Sequence, residues 1–444
     1  MRYLCQESTE ASFGDDLLFV KRYLTPILRD QKGVGSSIAN VECDFGILVF
    51  GNDQICLPTT FSVPIGLAEM KHNVFPWLSS SGQFGQNASY VSSPLMQYAG
   101  YAVNDLYKLK LSILPYIIVR FILSCLIVFF CITSLDSVVY VNNFLLSTNL
   151  YPDFLKLYDE RELKKLFEKA LALLARHHPG RVILFRSIDD FGTSKVLKKI
   201  LIQKPFNMKF VLSRKIHYQE VNSSKLWKRS SLRSDTGYYK SMVESGVYNF
   251  DDFVLGSNNI KNVTKHEYSI LNRVVDLYKM LYIQKYSKIN PRFTPYFILS
   301  NVLNGTLSLK LLIKGPLYSS TSRYGNRGHA IKNVENIHGV IGFWDRGGIL
   351  TTPLLGYDIT LPQKLGIYRL LSLEIMKTGR KKNLLVNASG GVGDFKRKRG
   401  AISFVEYNGV YCSKDISMLQ KLPWMTLNML TNFGVWYISR RKDI

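Results

Sequence analysis

Acidic residues are scarce in this chain. Asp+Glu 33 face Lys+Arg 57, a formal net charge of +24, which points to polyanionic partners: nucleic acid, an anionic membrane surface or phosphate-bearing small molecules. The 6 cysteines (Cys5, Cys43, Cys56, Cys125, Cys131, Cys412) contain no CxxC pair and no zinc-type spacing. That excludes a disulfide scaffold and reads as reduced, mostly buried thiols in a reducing, cytoplasmic compartment. The 7 histidines adjoin only at His177-His178, beside a Pro-Gly turn, and supply no metal site. The patterns G-x-x-x-x-G-K-[ST], G-x-S-x-G and H-E-x-x-H are absent, which excludes the phosphate-loop, nucleophile-elbow and zinc-protease readings. No low-complexity or Pro-rich tract separates domains, so the domains are expected to pack together. Glu7 and Glu10 follow Arg2 with no apolar core after them, so no signal peptide is expected.

What the chain does have is length and apolar content. At 444 residues, 46% hydrophobic and 20% charged, it reads as a globular protein of two or three domains able to bury a large core. One run stands out: Tyr116 to Leu135 carries 13 Leu, Ile, Val or Phe in 20 residues, with Arg120 its only charge. Length and composition permit a membrane-embedded helix. The competing reading is a helix buried between two domains, and the flanking segments, which read as one fold, favour packing against the protein.

Asp44 to Phe61 reads as two apolar strands around Gly51-Asn52-Asp53. After the apolar helix, Ser137 to Ser147 reads as a β-branched strand, and Asp159 to His177 has a helical apolar period ended by Pro179-Gly180. A strand follows from Arg181. Strand, helix, strand makes a βαβ unit with parallel strands. The second half repeats the plan: strands at 339–343 and 348–358 about Asp345-Arg346-Gly347, a loop to Gly366, a helix at 368–379 and a strand from Asn383. Leu145 to Asn149 with Pro152 also parallels Leu354 to Asp358 with Pro362. The expectation is an α/β fold with mixed sheets in two packed halves, 1–215 and 216–444, with a basic, irregular joint near 213–240.

The loop Gln363-Lys364-Leu365-Gly366-Ile367-Tyr368 lies between a strand and a helix N-terminus. Free N–H groups and the helix dipole make such a place an anion site, and glycine permits close backbone approach. Further on, Asn387 to Gly400 includes Phe395-Lys396-Arg397-Lys398-Arg399-Gly400, followed by Glu406-Tyr407. If the chain is extended after Phe395, alternation puts Lys396 and Lys398 on one face and Arg397 and Arg399 on the other.

The strand–Q-x-x-G–helix–strand order resembles the GNAT acyltransferase superfamily. The 387–407 stretch is similar to the small-residue–F-K-x-x-[RW]-G region of FemAB-like and cellulose-biosynthesis-type members. Lys285-Tyr286-Ser287, Asn290-Pro291 and Phe293-Thr294 resemble the segment preceding it. Pro353 to Asp358 with Gly366 to Arg369, together with Asn143 to Pro152 and Ser89-Tyr90-Val91, resemble one subgroup. The pattern departs at Tyr368, where Gly or Ala is usual. The resemblance implies two tandem GNAT-like halves transferring an acyl group to an amine. It implies acyl-coenzyme A as co-substrate, held by Leu355, Gln363, Leu365, Gly366, Ile367, Tyr368, Lys396 and Arg399. A backbone N–H near Leu355 to Tyr357 would hold the oxyanion. Tyr357, Tyr407 or Tyr411 would protonate the leaving thiolate, and Asp358 or Glu406 would take the amine proton. The acceptor implied is a small molecule or a glycan or lipid precursor. The alternatives are an aminoacyl-tRNA donor, which the positive charge suits, or a non-catalytic membrane protein that binds anionic glycan or lipid precursors.

Overall fold

The computed structural model describes residues 2–5, 15–28, 37–50, 55–62, 88–106, 110–257, 259–315, 318–319, 329–330 and 333–440. The strands are β1 (Arg2–Cys5), β2 (Cys43–Phe50), β3 (Ile55–Ser62), β4 (Val138–Val141), β5 (Val182–Asp189), β6 (Lys209–Gln219), β7 (Tyr248–Phe253), β8 (Ser308–Lys314), β9 (Tyr318–Ser319), β10 (His329–Ala330), β11 (Ile337–Arg346), β12 (Ile349–Tyr357), β13 (Leu385–Asn387) and β14 (Ile402–Tyr411). Among the described residues, 12 of them form one mixed sheet in the order β1-β2-β3-β4-β5-β14-β6-β13-β12-β11-β8-β7.

The helices that matter below are α1 (Asp15–Leu28), α2 (Met96–Gly100 running into Tyr101–Asp105), α3 (Ile113–Ile132) and α4 (Glu160–His177). They are followed by α5 (Gly192–Ile202), α6 (Ser230–Tyr239), α7 (Lys265–Tyr278, prolonged by Lys279–Tyr286), α8 (Pro295–Leu303), α9 (Ile367–Lys381), α10 (Gly393–Lys398) and α11 (Met418–Arg440).

Both halves contain the expected βαβ unit. In the first, β4 and β5 pair in parallel from Val138↔Val182 to Val141↔Phe185, with α4 between them in sequence. In the second, β12 and β13 pair in parallel from Ile349↔Leu385 to Thr351↔Asn387, joined by α9. The strands are apolar almost without interruption because both faces are covered. Val138, Tyr140, Val182 and Leu184 enter one core, and Val141, Ile183 and Phe185 enter another under α4 and α5. Likewise Leu311, Val340 and Leu354 join the first core, whereas Leu312, Ile341 and Leu355 pack under α9. The first core therefore runs through both halves. Helix α4 starts where Asp159 and Glu162 form a reciprocal capping box, and Leu163, Phe167, Leu171 and Leu174 give it a buried stripe.

Four sequence expectations need correction. The strand expected over 137–147 stops at Val141, because Asn142 and Leu145 take left-handed φ of 59° and 57°. The stretch 213–240 is not irregular. It holds the end of β6, which is paired on both sides, and α6. The division at 215/216 falls inside β6, and β14 returns from the end of the chain to lie between β5 and β6. The apolar helix is not buried between domains. No residue from Ile113 to Leu123 is buried, while Ser124, Ile127 and Phe130 are, so the protein covers one side of its second half only. The first Gly51-Asn52-Asp53 turn lies outside the described residues.

Arg346, at the turn between β11 and β12, ties the halves together. Its guanidinium donates to both carboxylate oxygens of Asp16 on α1 at 3.0 and 2.7 Å and to the carbonyls of Cys56 at 2.6 Å and Leu150 at 3.2 Å. Removing one partner of such a buried pair leaves the other uncompensated. Arg346→Ala is expected to cost about 3–5 kcal/mol, read as a lowered urea midpoint, and Arg346→Lys to recover part of it.

Candidate active site

The backbone around Gly366 builds one wall of the site. Pairing between β12 and β13 ends at Thr351↔Asn387, while β12 continues along β11 as far as Tyr357. The two parallel strands thus part, and the α9 N-terminus sits beside the opening. Gly366 has φ 51° and ψ 31°, a left-handed conformation that costs an ordinary residue about 1–2 kcal/mol. No hydrogen bond among the described residues takes up the N–H groups of Ile367 and Tyr368. They lie at the positive end of the α9 dipole.

The opening leads into a cavity of about 880 Å³. Gly356 explains how α7 forms part of its surround: a Cβ there would lie 2.6 Å from the Leu277 carbonyl carbon and the Tyr278 nitrogen. Helix and strand therefore touch backbone to backbone. The prolongation of α7 brings Tyr282, Lys285 and Tyr286 to the cavity, and α2 contributes Gln97 and Tyr101.

Charges in the cavity are held by partners. Arg214 of β6 donates to Glu406 of β14 at 3.0 and 3.2 Å, and to the Ser147 carbonyl at 2.6 Å and the Thr148 hydroxyl at 2.8 Å. Burial alone would lower the Arg214 pKa, but Glu406 raises it. The Arg186 guanidinium donates to Asn143 Oδ1 at 2.8 Å and the Val91 carbonyl at 3.1 Å. Asp358 accepts from Arg273 at 2.8 Å and from the Thr360 hydroxyl at 2.6 Å. Burial would raise its carboxyl, but Thr360 and Arg273 hold it below its ordinary value.

Lys396 differs from these. Its Nζ donates to the carbonyls of Ala388 and Gly390, both at 2.6 Å, and to that of Ser389 at 3.3 Å. Burial, and then the Arg214 charge, push its pKa down to about 7. A neutral amine keeps two donors for the two short bonds and leaves its lone pair free. The preceding loop is strained, since the β-branched Val392 takes φ 41°.

Of the residues expected at the site, Leu355, Tyr357, Asp358, Gln363, Gly366, Ile367, Tyr368, Lys396 and Glu406 line the cavity. Leu365 does not; its carbonyl accepts from the Tyr238 hydroxyl at 2.9 Å. Arg399 also turns away, donating to Asp235 Oδ1 at 3.0 Å with its guanidinium over the Phe395 ring. Tyr407 lies under the Lys198 ammonium at 3.8 Å, and Tyr411 packs against the core beneath α4. The chain after Phe395 is helix α10, not a strand, because left-handed Gly391 and Val392 turn it into a helical start. The alternation expected for 396–399 therefore does not apply. Arg186, Arg214 and Gln97 were missed. Tyr90 and Lys285 belong to motifs noted for their resemblance alone. Among the described residues no His, Cys, Asp or Glu cluster fit for a metal is found.

No family model matches the chain, and no curated protein matches it. Solved structures similar to it include L-PGS from Bacillus licheniformis, at 14% identity over 64% of this chain and 80% of that one, TM-score 0.39. FemX is similar at 10% identity over 61% and 80%, TM-score 0.40. A tandem GNAT protein from the clavulanic acid biosynthesis pathway is similar at 9% identity over 93% and 99%, TM-score 0.35.

Lys396→Met removes the donor for three carbonyls and is expected to destabilise the protein by about 2–3 kcal/mol. The pH dependence distinguishes this from loss of packing. The native ammonium sheds its proton near 7, whereas the unfolded one keeps it to about 10.5. Between those values the unfolded state binds more protons, so wild-type stability gains a contribution as pH rises from about 7 and loses it as pH falls back. The difference between wild type and Lys396→Met in urea titrations should widen with pH across that window.

Proposed function

We propose that this chain is a transferase of the GNAT/FemAB type that moves an acyl group from acyl-coenzyme A to an amine of a small molecule or of a glycan or lipid precursor. One observation carries the reading: two parallel strands part beside a left-handed glycine, with two unshared N–H groups at a helix start, at the wall of a large cavity. That arrangement suits a pyrophosphate and leaves room for an acyl chain and an acceptor.

In the reaction the amine nitrogen attacks the thioester carbon, the C–N bond forms and the C–S bond breaks. The amine loses one proton and the departing thiolate gains one. Asp358 and Glu406 are occupied by Arg273 and Arg214, which makes each a poor proton acceptor. Neutral Lys396 is better matched to that step near neutrality. The Tyr357 hydroxyl, 3.5 Å from the Lys285 ammonium, is the donor for the thiolate. Cys43, Cys125, Cys131 and Cys412 are in no disulfide, which suits a cytoplasmic enzyme, and the exposed apolar helix α3 supports association of that enzyme with a membrane.

Tyr368 favours a second reading. Its ring sits 4.9 Å from Phe395 and 6.2 Å from Tyr357, between residues that follow β13 and end β12. A bulky ring there crowds the path of a pantetheine arm, and an aminoacyl-tRNA donor would present only its terminal ester.

Calorimetry decides between the donors. A coenzyme A thioester should bind wild type with a shallow salt dependence, and Gly366→Val should weaken binding at least tenfold while costing about 1–2 kcal/mol of stability. Tight tRNA binding whose log affinity falls by about 0.7 to 0.9 per phosphate neutralised, with no thioester binding, selects the second reading. Transfer rates should rise through pH 7 in wild type, and this rise should vanish in Lys396→Met.

A further inference from the structure

Helix α3 presents two different surfaces along its length. From Ser124 onward it rests on the protein through Ser124, Ile127 and Phe130. Before that point it projects. Ile113, Leu114 and Phe121 are 80%, 68% and 62% exposed, and Ile117, Ile118 and Ile122 are exposed as well. The ten residues 113–122 span about 15 Å at 1.5 Å per residue. The hydrocarbon core of a bilayer is about 30 Å thick, so the free part reaches through one leaflet and no further.

Polar side chains on α3 and at its C-cap bond within the helix, which lowers the cost of a lipid environment. The Arg120 guanidinium donates to the Tyr116 hydroxyl at 2.9 Å. The Ser124 hydroxyl donates to the Arg120 carbonyl at 2.9 Å, and the Thr133 hydroxyl to the Phe129 carbonyl at 2.8 Å. Arg120 is also long enough to reach the headgroup layer.

A second apolar face lies on α11. On α11, Met418, Leu422, Met425 and Met429 are exposed at helical spacing, while Trp424 and Leu427 on the other side are buried. Both helices lean on α2. The Tyr98 ring meets Trp424 edge-on at 6.4 Å, and α2 also packs against α3. The same α2 sends Gln97 and Tyr101 into the cavity. Lys421 lies on α11 beside Leu422, and the chain carries +24 overall, which complements an anionic leaflet.

We propose that residues 113–122 insert into a single leaflet of an anionic bilayer, with the 418–429 face of α11 lying on the same surface, so that α2 holds the cavity directly above the headgroups. This deepens the membrane placement given above and rests on it. It is independent of which donor the enzyme uses.

Full-length protein is mixed with vesicles of phosphatidylcholine alone or with 30% phosphatidylserine and floated on a density gradient. Wild type should float with the anionic vesicles, and Ile117→Asp/Phe121→Asp should lower its partition coefficient at least tenfold. Both side chains project from the protein, so thermal unfolding and donor binding should be unchanged in that variant. Ile118→Trp fluorescence should be quenched by lipids brominated along one leaflet's acyl chain. Three results overturn the proposal. One is failure of wild type to float. Another is a dimer in solution that the double substitution dissociates, which makes a second copy the occupant. The third is protease access to the N-terminal end of α3 from inside sealed vesicles, which makes it a spanning helix. Vesicle binding without any donor binding would sink the acyl-transfer reading and leave this one standing.

Discussion

Strand β14 decides how the two halves become one molecule. It arrives last in the chain yet fills the gap between β5 and β6, pairing with β5 from Glu406↔Asp189 to Tyr411↔Ile183 and with β6 from Ile402↔Tyr218 to Val410↔Lys209. Beyond β6 the link to the second half is thin: β13 pairs with β6 through Val386↔Gln219 and Asn387↔Tyr218 alone. That narrow pairing is what leaves space. A longer β13 would have zipped the sheet shut where the cavity now lies. The bulge at Glu406/Tyr407 then sets which side chain of β14 faces that space, since successive residues of a strand point to opposite faces.

The local elements around the site were legible because their signals are local. A strand of apolar residues, a glycine, a helical period from Ile367 and a second apolar strand together specify β12, α9 and β13, and the left-handed Gly366 is what glycine at that point implies. The interleaving of β14 was not legible. Pairing between residues some two hundred positions apart leaves no mark on either segment's own pattern. The same applies to Arg214 and Arg186, whose partners, the Glu406 carboxylate and the Asn143 amide, are brought to them only by the fold. Tyr407 and Tyr411 were plausible by residue type alone. Only the pleat of β14 separates them from Glu406.

Residues 396–399 show how one backbone detail redistributes function. An extended chain would have paired Lys396 with Lys398. The left-handed turn at Gly391 and Val392 starts α10 instead, so that Lys396 points in to the loop carbonyls and Arg399 points to Asp235. Asp235 is already held by Arg369 at 2.7 Å, so it pins both α9 and the end of α10 to α6. Residues 396–399 therefore divide into one buried lysine at the cavity, one buried structural arginine, and the exposed Arg397 and Lys398.

That division bears on where the net charge resides. Arg346 is matched by Asp16, Arg273 by Asp358, Arg214 by Glu406, and Arg369 with Arg399 by Asp235. Such buried pairs add little net stability over apolar packing, but they fix the relative position of the elements they join. They also draw on a small stock of carboxylates. Each acid taken inside to hold an arginine is one fewer on the surface, so the excess of Lys and Arg is concentrated outside. Of the cationic side chains that line the cavity, Arg214 and Arg369 face carboxylates, whereas Arg186, Lys215, Lys285 and Lys396 add positive charge to its wall. The positive charge therefore extends from the outer surface, where the projecting half of α3 also lies, into the cavity wall.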